Sequence, residues 1–232
     1  MAPHQHGKTL ILFLGLGLLA LSLGIFPPAR AATVWEDDFN DADYNGWVVE
    51  TGSFTAAGNT LRCTSVALSA IQHPSTVASG TWSFDFVFTG AAHVSAVYFA
   101  IGVISDIMGN QGYQILFNNY GFSLQVITDS ATDILDSYTA PDGVQGRQHI
   151  DITRDTGGLF RVYINGTLQM DATNTEHTTA NYFLIHMFQD ESIDNVVVSN
   201  TVDVTPSTTD PGTGTGNPTG PPPGIPGFPT AA

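Results

Sequence analysis

The 232-residue chain predicts an all-β fold, a two-sheet antiparallel jelly-roll sandwich, on three observations. Apolar and polar or small residues alternate at period two in one segment after another, turn residues separate those segments, and no stretch keeps a capped 3.6-residue apolar period over three turns. With 42% hydrophobic and only 12% charged residues, 24 glycines and 13 prolines, the composition suits one β-rich domain with non-globular ends.

The N-terminal end comes first. Lys8 and several histidines precede an apolar run over residues 10–26, which closes on Ala29-Arg30-Ala31. Residues 1–31 therefore read as a secretory signal peptide, with an uncleaved membrane anchor as the alternative. Either reading puts the remainder outside the cytoplasm, secreted or at the cell surface.

Within residues 32–202, the expected domain, the clearest strand is 81–88, where Trp82, Phe84, Phe86 and Phe88 share one face. Residues 94–104 are apolar nearly throughout and rich in β-branched and aromatic side chains, as a central strand covered on both faces would be. Segments 112–117 and 122–127 flank Asn118-Asn119-Tyr120-Gly121, a hairpin connection. Segments 160–164 and 167–170 flank Asn165-Gly166, whose residues accept the positive φ of a two-residue turn. With 149–153, 182–188 and 193–198 the count reaches about a dozen short strands.

The C-terminal end, 203–232, is Thr/Pro/Gly-rich and has little to bury, so it reads as a disordered linker or stalk. Its last residues, GIPGFPTAA, resemble the lead-in to the C-terminal anchors of archaeal surface proteins, without the anchor helix. Membrane attachment is thus expected only through the N-terminal segment or an anchor missing from this sequence.

Charge narrows the partners. Without Lys8 and Arg30 the chain keeps four arginines against 21 acidic groups, a net charge of −17. Such a surface repels phosphate backbones and anionic headgroups, which excludes nucleic acid and leaves neutral sugars, divalent cations and basic proteins. Cys63 has no partner in the chain and reads as a small buried hydrophobe in an alternating strand.

Three stretches resemble the concanavalin A-like lectin/glucanase superfamily, in its laminin-G-like, secreted form. They are the opening WEDDFNDADYNGWVVETGSFTAAGNTLRC, the central GRQHIDITRDTGGLFRVYINGTLQM and the closing SIDNVVVSN. The resemblance implies two curved sheets, a concave face that often binds glycans, and frequently a calcium ion. It does not imply one activity, since the same fold carries lectins, adhesion modules and glycosidases.

The residues decide among those roles. Glucanases of this fold set their acids on one strand as Glu-x-Asp-x-x-Glu, and Glu36, Glu50, Glu176 and Glu191 do not fall in that pattern. The acidic group around Asp190, Glu191 and Asp194 reads as a solvated turn into the last strand. Calcium (Ca2+) is expected from Asp38, Asp41 and Asp43, beside Asp37 after the opening strand, joined by Asp194 if opening and closing strands meet. The competing reading makes those aspartates turn residues bonded to their own backbone. Asp129, Asp133 and Asp136 form a second acidic loop.

Glycan binding needs an aromatic platform with polar neighbours. The candidates are Tyr120 and Tyr113 with Asn118, Asn119, His186 and Gln189, supported by Tyr98, Gln114 and Gln125. Asn165 heads the Asn-Gly-Thr glycosylation sequon, although Asn-Gly is equally what its turn demands. The reading is a non-catalytic extracellular carbohydrate-binding or adhesion module on a stalk, partnered by glycans or cell-surface components. The alternatives are a sugar hydrolase or lyase, including the type that acts on 3-keto-disaccharides and opens with a similar strand, and a self-associating subunit of an extracellular layer or filament.

Overall fold

The computed structural model describes residues 33–89, 94–103, 111–129 and 131–202. The expected signal segment and stalk lie outside these residues. Fifteen strands follow one another: β1 (Thr33–Asp37), β2 (Val48–Thr51), β3 (Phe54–Ala56), β4 (Leu61–Cys63), β5 (Ser69–Pro74), β6 (Gly80–Phe88), β7 (Ser95–Val103), β8 (Gln111–Asn118), β9 (Gly121–Ile127), β10 (Thr132–Thr139), β11 (Gly146–Arg154), β12 (Leu159–Ile164), β13 (Thr167–Thr173), β14 (Tyr182–Met187) and β15 (Ser192–Ser199). They build two antiparallel sheets. Sheet A runs β13-β12-β11-β6-β15-β4-β3, with β1 also on β15, and sheet B runs β10-β9-β8-β7-β14-β5-β2.

The alternation read along residues 81–88 is what presses the sheets together. Trp82, Phe84, Phe86 and Phe88 of β6 are all buried and face sheet B. There Phe86 lies 5.1 Å and Phe88 5.4 Å from the Phe117 ring, while Trp82 meets Phe99 at 4.9 Å. Each large apolar side chain taken from water contributes roughly 1.5–3 kcal/mol, so this ladder is the main force joining the layers. Cys63 belongs to the same core, fully buried.

Both expected hairpins form. Asn165 (φ 50°) and Gly166 (φ 75°) supply the two positive φ values of a tight turn whose twist matches its strands. The acidic loop expected at Asp129, Asp133 and Asp136 departs from expectation: from Thr132 the chain forms β10, an edge strand of sheet B that packs Leu135 and Tyr138 against the core and exposes most of its other side chains. Its short, interrupted apolar pattern, broken by acidic residues, hid the strand. The polar group at the turn into β15 also differs from the solvated cluster expected. Glu191 is buried, and its Oε2 accepts the Ser95 hydroxyl at 2.5 Å and the Phe188 N–H at 2.8 Å.

Candidate functional site

In β6 every second side chain points away from the core, which sends Ser83 and Asp85 to the outer face of sheet A. Pairing with β11 sets His149 beside Asp85 and Asp151 beside Ser83, and pairing with β15 sets Asp194 on the far side of Asp85. Three strands distant in sequence thus line up His149, Asp85 and Asp194 in one row.

The row is bonded throughout. His149 Nδ1 lies 2.7 Å from Asp85 Oδ1 and its Nε2 3.3 Å from Asp151 Oδ1. With a carboxylate at each nitrogen, the imidazolium that donates from both is the favoured form. Burial acts to lower its pKa, but the hydrogen bonds and charges of Asp151 and Asp85 prevail and carry it up to about 9. Arg147 pairs with Asp194 and lies 3.6 Å from Asp85 Oδ2. Burial pushes Asp194 up despite Arg147, whereas for Asp85 the bonds from His149 and Asn195, with the neighbouring positive charges, outweigh burial and hold it low.

Ser83, His149 and Asp85 look at first like a nucleophilic triad, since Ser83 Oγ sits 3.5 Å from His149 Nε2. The proton inventory argues otherwise. Ser83 donates to Asp151 Oδ1 at 2.7 Å and His149 is already protonated at neutral pH, so no base is free to activate the hydroxyl.

Beside this row opens a cleft of about 660 Å³. It is lined by Ser83, His149, Asn195, Val196 and Val197 and by Glu36, Asp37, Asp38, Asp41, Asp43 and Asn45 from β1 and the loop after it. Pairing of β1 with β15, Glu36 opposite Val197 and Asp37 opposite Val196, sets the two groups side by side, so the opening and closing strands do meet. Two buried aromatics pin the loop, Phe39 and Trp47, the latter donating Nε1–H to Asp37 Oδ2 at 2.8 Å.

The aspartates expected to bind calcium are engaged in hydrogen bonds and an ion pair. Asp38 and Asp43 each accept the backbone N–H and side-chain amide of the asparagine two residues on, Asp41 accepts the Asp43 N–H, and Asp194 is committed to Arg147. The turn reading describes them. Among the described residues no group of three His, Cys, Asp or Glu side chains is placed to hold a metal ion.

The expected glycan residues are scattered. Tyr113 is corrected outright: it is 0% exposed within the core, and its hydroxyl bonds Asn174 Oδ1 at 2.8 Å, so it meets no ligand. Asn118 caps the β8–β9 turn by accepting the N–H groups of Tyr120 and Gly121, and Asn119 accepts the Val144 N–H through its carbonyl. Tyr120 projects from that turn, 70% exposed, and Gln189 is exposed in the β14–β15 turn.

His186 lies on the outer face of sheet B, 2% exposed, against Tyr98 at 4.6 Å. Burial drives its pKa down to about 4 and that of Tyr98 up to about 12, so both are neutral. Gln114 donates to Gln125 at 2.6 Å on the same face, leaving Gln114 Oε1 and His186 Nε2 buried without partners. Asn165 is exposed, but its amide is in use: Oδ1 accepts the His149 N–H and Nδ2 donates to Gln148.

The ion-paired row was missed in sequence reading. Alternation alone places Asp85, His149 and Asp151 on polar strand faces; what it lacks is the register of strands some 60 residues apart.

No protein-family model matches the chain, and no curated protein matches it. Solved structures do. A carbohydrate-binding module, CBM66, from Bacillus subtilis superposes with TM-score 0.52 at 18% identity, over 68% of this chain and 94% of that one. The Bacillus licheniformis β-glucanase gives 0.58 at 10%, over 71% and 97%. The VIP36 exoplasmic/lumenal domain in its Ca2+/Man3GlcNAc-bound form gives 0.57 at 14%, over 74% and 90%. The fold is therefore that of the concanavalin A-like lectins and glucanases.

Proposed function

We propose that this concanavalin A-like sandwich is an extracellular, non-catalytic carbohydrate-binding module, and that the cleft beside β1 and β15 receives the glycan. One observation carries the reading: an open cleft on sheet A is lined by Glu36, Asp37, Asp38, Asp41 and Asp43, with Asn45, Ser83 and Asn195 beside them. A carboxylate has about four acceptor sites, so these side chains keep capacity for sugar hydroxyls beyond the bonds they already accept. A polyol offers hydroxyl donors along its length, so neutral sugars match such a lining, and the solved lectin and carbohydrate-binding relatives in fold add support.

Binding is favoured over hydrolysis because the acids stand on one side. Glycosidic cleavage generally needs carboxyl groups on both sides of the bond. Here the acids lining the cleft all come from β1 and the loop after it, and Asp85, Asp151 and Asp194 are locked with His149 and Arg147. On sheet B the five central strands β5, β7, β8, β9 and β14 contain no Asp or Glu, and its acids, Glu50 of β2 and Asp133 and Asp136 of β10, lie on the two edge strands at opposite ends of the sheet.

Affinity electrophoresis of residues 32–202 in gels holding soluble polysaccharides, with a glycan array alongside, tests the reading. Retention by at least one neutral glycan, lost in Asp41→Asn/Asp43→Asn, is the expected result. No retention by any glycan overturns the function. Retention untouched by those changes but lost in His186→Ala moves the site to sheet B.

A further inference from the structure

Asn195 lies in β15 at the edge of the cleft. It has φ 51° without being glycine, and the β6–β15 register slips between Asp194 and Val197, so it forms a bulge in the closing strand. That bulge places Asn195 and Val197 at the cleft, turns the Val196 side chain into the core and sets the pairing of β15 with Glu36 and Asp37 of β1. What secures it is one side-chain bond across to β6, Asn195 Nδ2 donating to Asp85 Oδ2 at 2.8 Å, with a longer one back to Asp194 Oδ2 at 3.4 Å. The other oxygen of Asp85 is held by His149 Nδ1.

We propose that the proton on His149 is a latch for the cleft: while it is present, Asp85 is oriented to hold the Asn195 bulge, and when it leaves, the bulge and the wall it forms loosen. The inference concerns regulation of the site proposed above and rests on that reading only for its effect on ligand. The mechanical part stands alone.

The physical steps are these. A protonated His149 donates to Asp85 and to Asp151 at once. Neutral imidazole has one N–H, so it must abandon one carboxylate and turn a lone pair toward it. Asp85 and Asp194 then stand side by side with Arg147, 41% exposed at its side chain, as their remaining cation, and buried like charges repel. The groups around His149 are Ser83 and Asp85 from β6, Arg147 and Asp151 on its own strand, Arg161 and Tyr163 on the outward face of β12, Asp194 and Asn195 from β15, and along the cleft Glu36, Asp37, Asp38, Asp41 and Asp43. Most of the surrounding charge is negative. It retains the proton into the alkaline range, and its loss releases the strand alkaline conditions would otherwise leave intact.

Amide hydrogen exchange followed by NMR from pH 7 to 10.5 tests this on the 32–202 domain, with Ile115 and Ile185 of sheet B as internal references. Exchange at Asn195, Val196 and Val197 should outpace the references by ten-fold or more once the pH passes about 9. In Asp151→Asn the same step should move to lower pH, because one of the two carboxylates holding the proton is gone. In His149→Gln, which keeps a donor but cannot titrate, no step should remain. A step that persists unchanged in His149→Gln, or wild-type β15 amides that track the references to pH 10.5, overturns the latch. If His149→Gln fails to fold, the direction of the Asp151→Asn shift decides. Glycan retention measured separately over the same range shows whether the movement reaches the ligand; exchange without change in retention counts against the glycan site, not against the latch.

Discussion

The two outer faces of the sandwich solve opposite problems with similar numbers of buried polar groups. On sheet A, Asp85, His149, Asp151, Arg147 and Asp194 are charged, paired and interlocked. On sheet B, His186, Tyr98, Gln114 and Gln125 are neutral, and among the described residues Gln72 Oε1, Gln114 Oε1 and His186 Nε2 have no partner, against Asp151 Oδ2 in the sheet A group. Burial favours the uncharged form of a lone group, and only a counter-charge at hydrogen-bond distance reverses that preference. His149 and His186, in one protein, therefore move to opposite sides of the ordinary histidine pKa, about 9 against about 4. A buried histidine's state is read from its neighbours, not from its depth.

Removing a partner should separate the faces most. Asp85→Ala strands a buried imidazolium and the Asn195 amide, and should cost about 3–5 kcal/mol in urea unfolding at pH 7. His186→Leu removes a polar atom that bonds nothing, so its effect should be neutral or slightly stabilising. Equal losses at the two positions would erase the contrast.

Alkalinity to about pH 9 should act on sheet A, whereas acidification should act on both faces, since His186, with a folded pKa of about 4, loses its contribution as pH falls below about 6.5. The folded pKa of His149 lies above its unfolded value near 6.5, so its contribution is complete below that value and disappears as pH climbs through about 9. The loss amounts to on the order of 3 kcal/mol. Asp85, held low, works in the other direction: its share is present above pH 3.8 and is lost on acidification. Stability against pH should fall on both flanks, and His149→Gln should flatten the alkaline one while His186→Leu leaves it in place.

Smaller effects sharpen the site. Asp41→Asn/Asp43→Asn should weaken glycan retention by ten-fold or more with little change in unfolding midpoint, since asparagine can still cap the turns. Chelation by EDTA should shift the thermal midpoint by less than about 2 °C, because hydrogen bonds within its own chain already order the loop; a loss of several degrees would place an ion that clamps the loop. Tyr120→Ala, at an exposed turn, should change stability by less than about 0.5 kcal/mol and leave retention intact.

Much of the architecture was open to reading from local pattern. Period-two alternation set Trp82, Phe84, Phe86 and Phe88 inward, and Asn165-Gly166 fixed a turn, because strand faces and tight turns are decided by residues two or three apart. The same alternation marked Asp85, His149 and Asp151 as outward and polar without revealing that they touch. Tyr113 shows the limit from the other direction: flanked by a glycine and a glutamine, it reads as a platform, yet sheet packing buries it against Phe160 at 4.7 Å and spends its hydroxyl on Asn174. Which face of a strand is polar is a property of the chain; which polar groups share a face, and hence which histidine keeps its proton, depends on register between strands 60 to 110 residues apart. Only the packed sheets set that register, because the free energy that selects it comes from the whole inter-layer core rather than from any one pair.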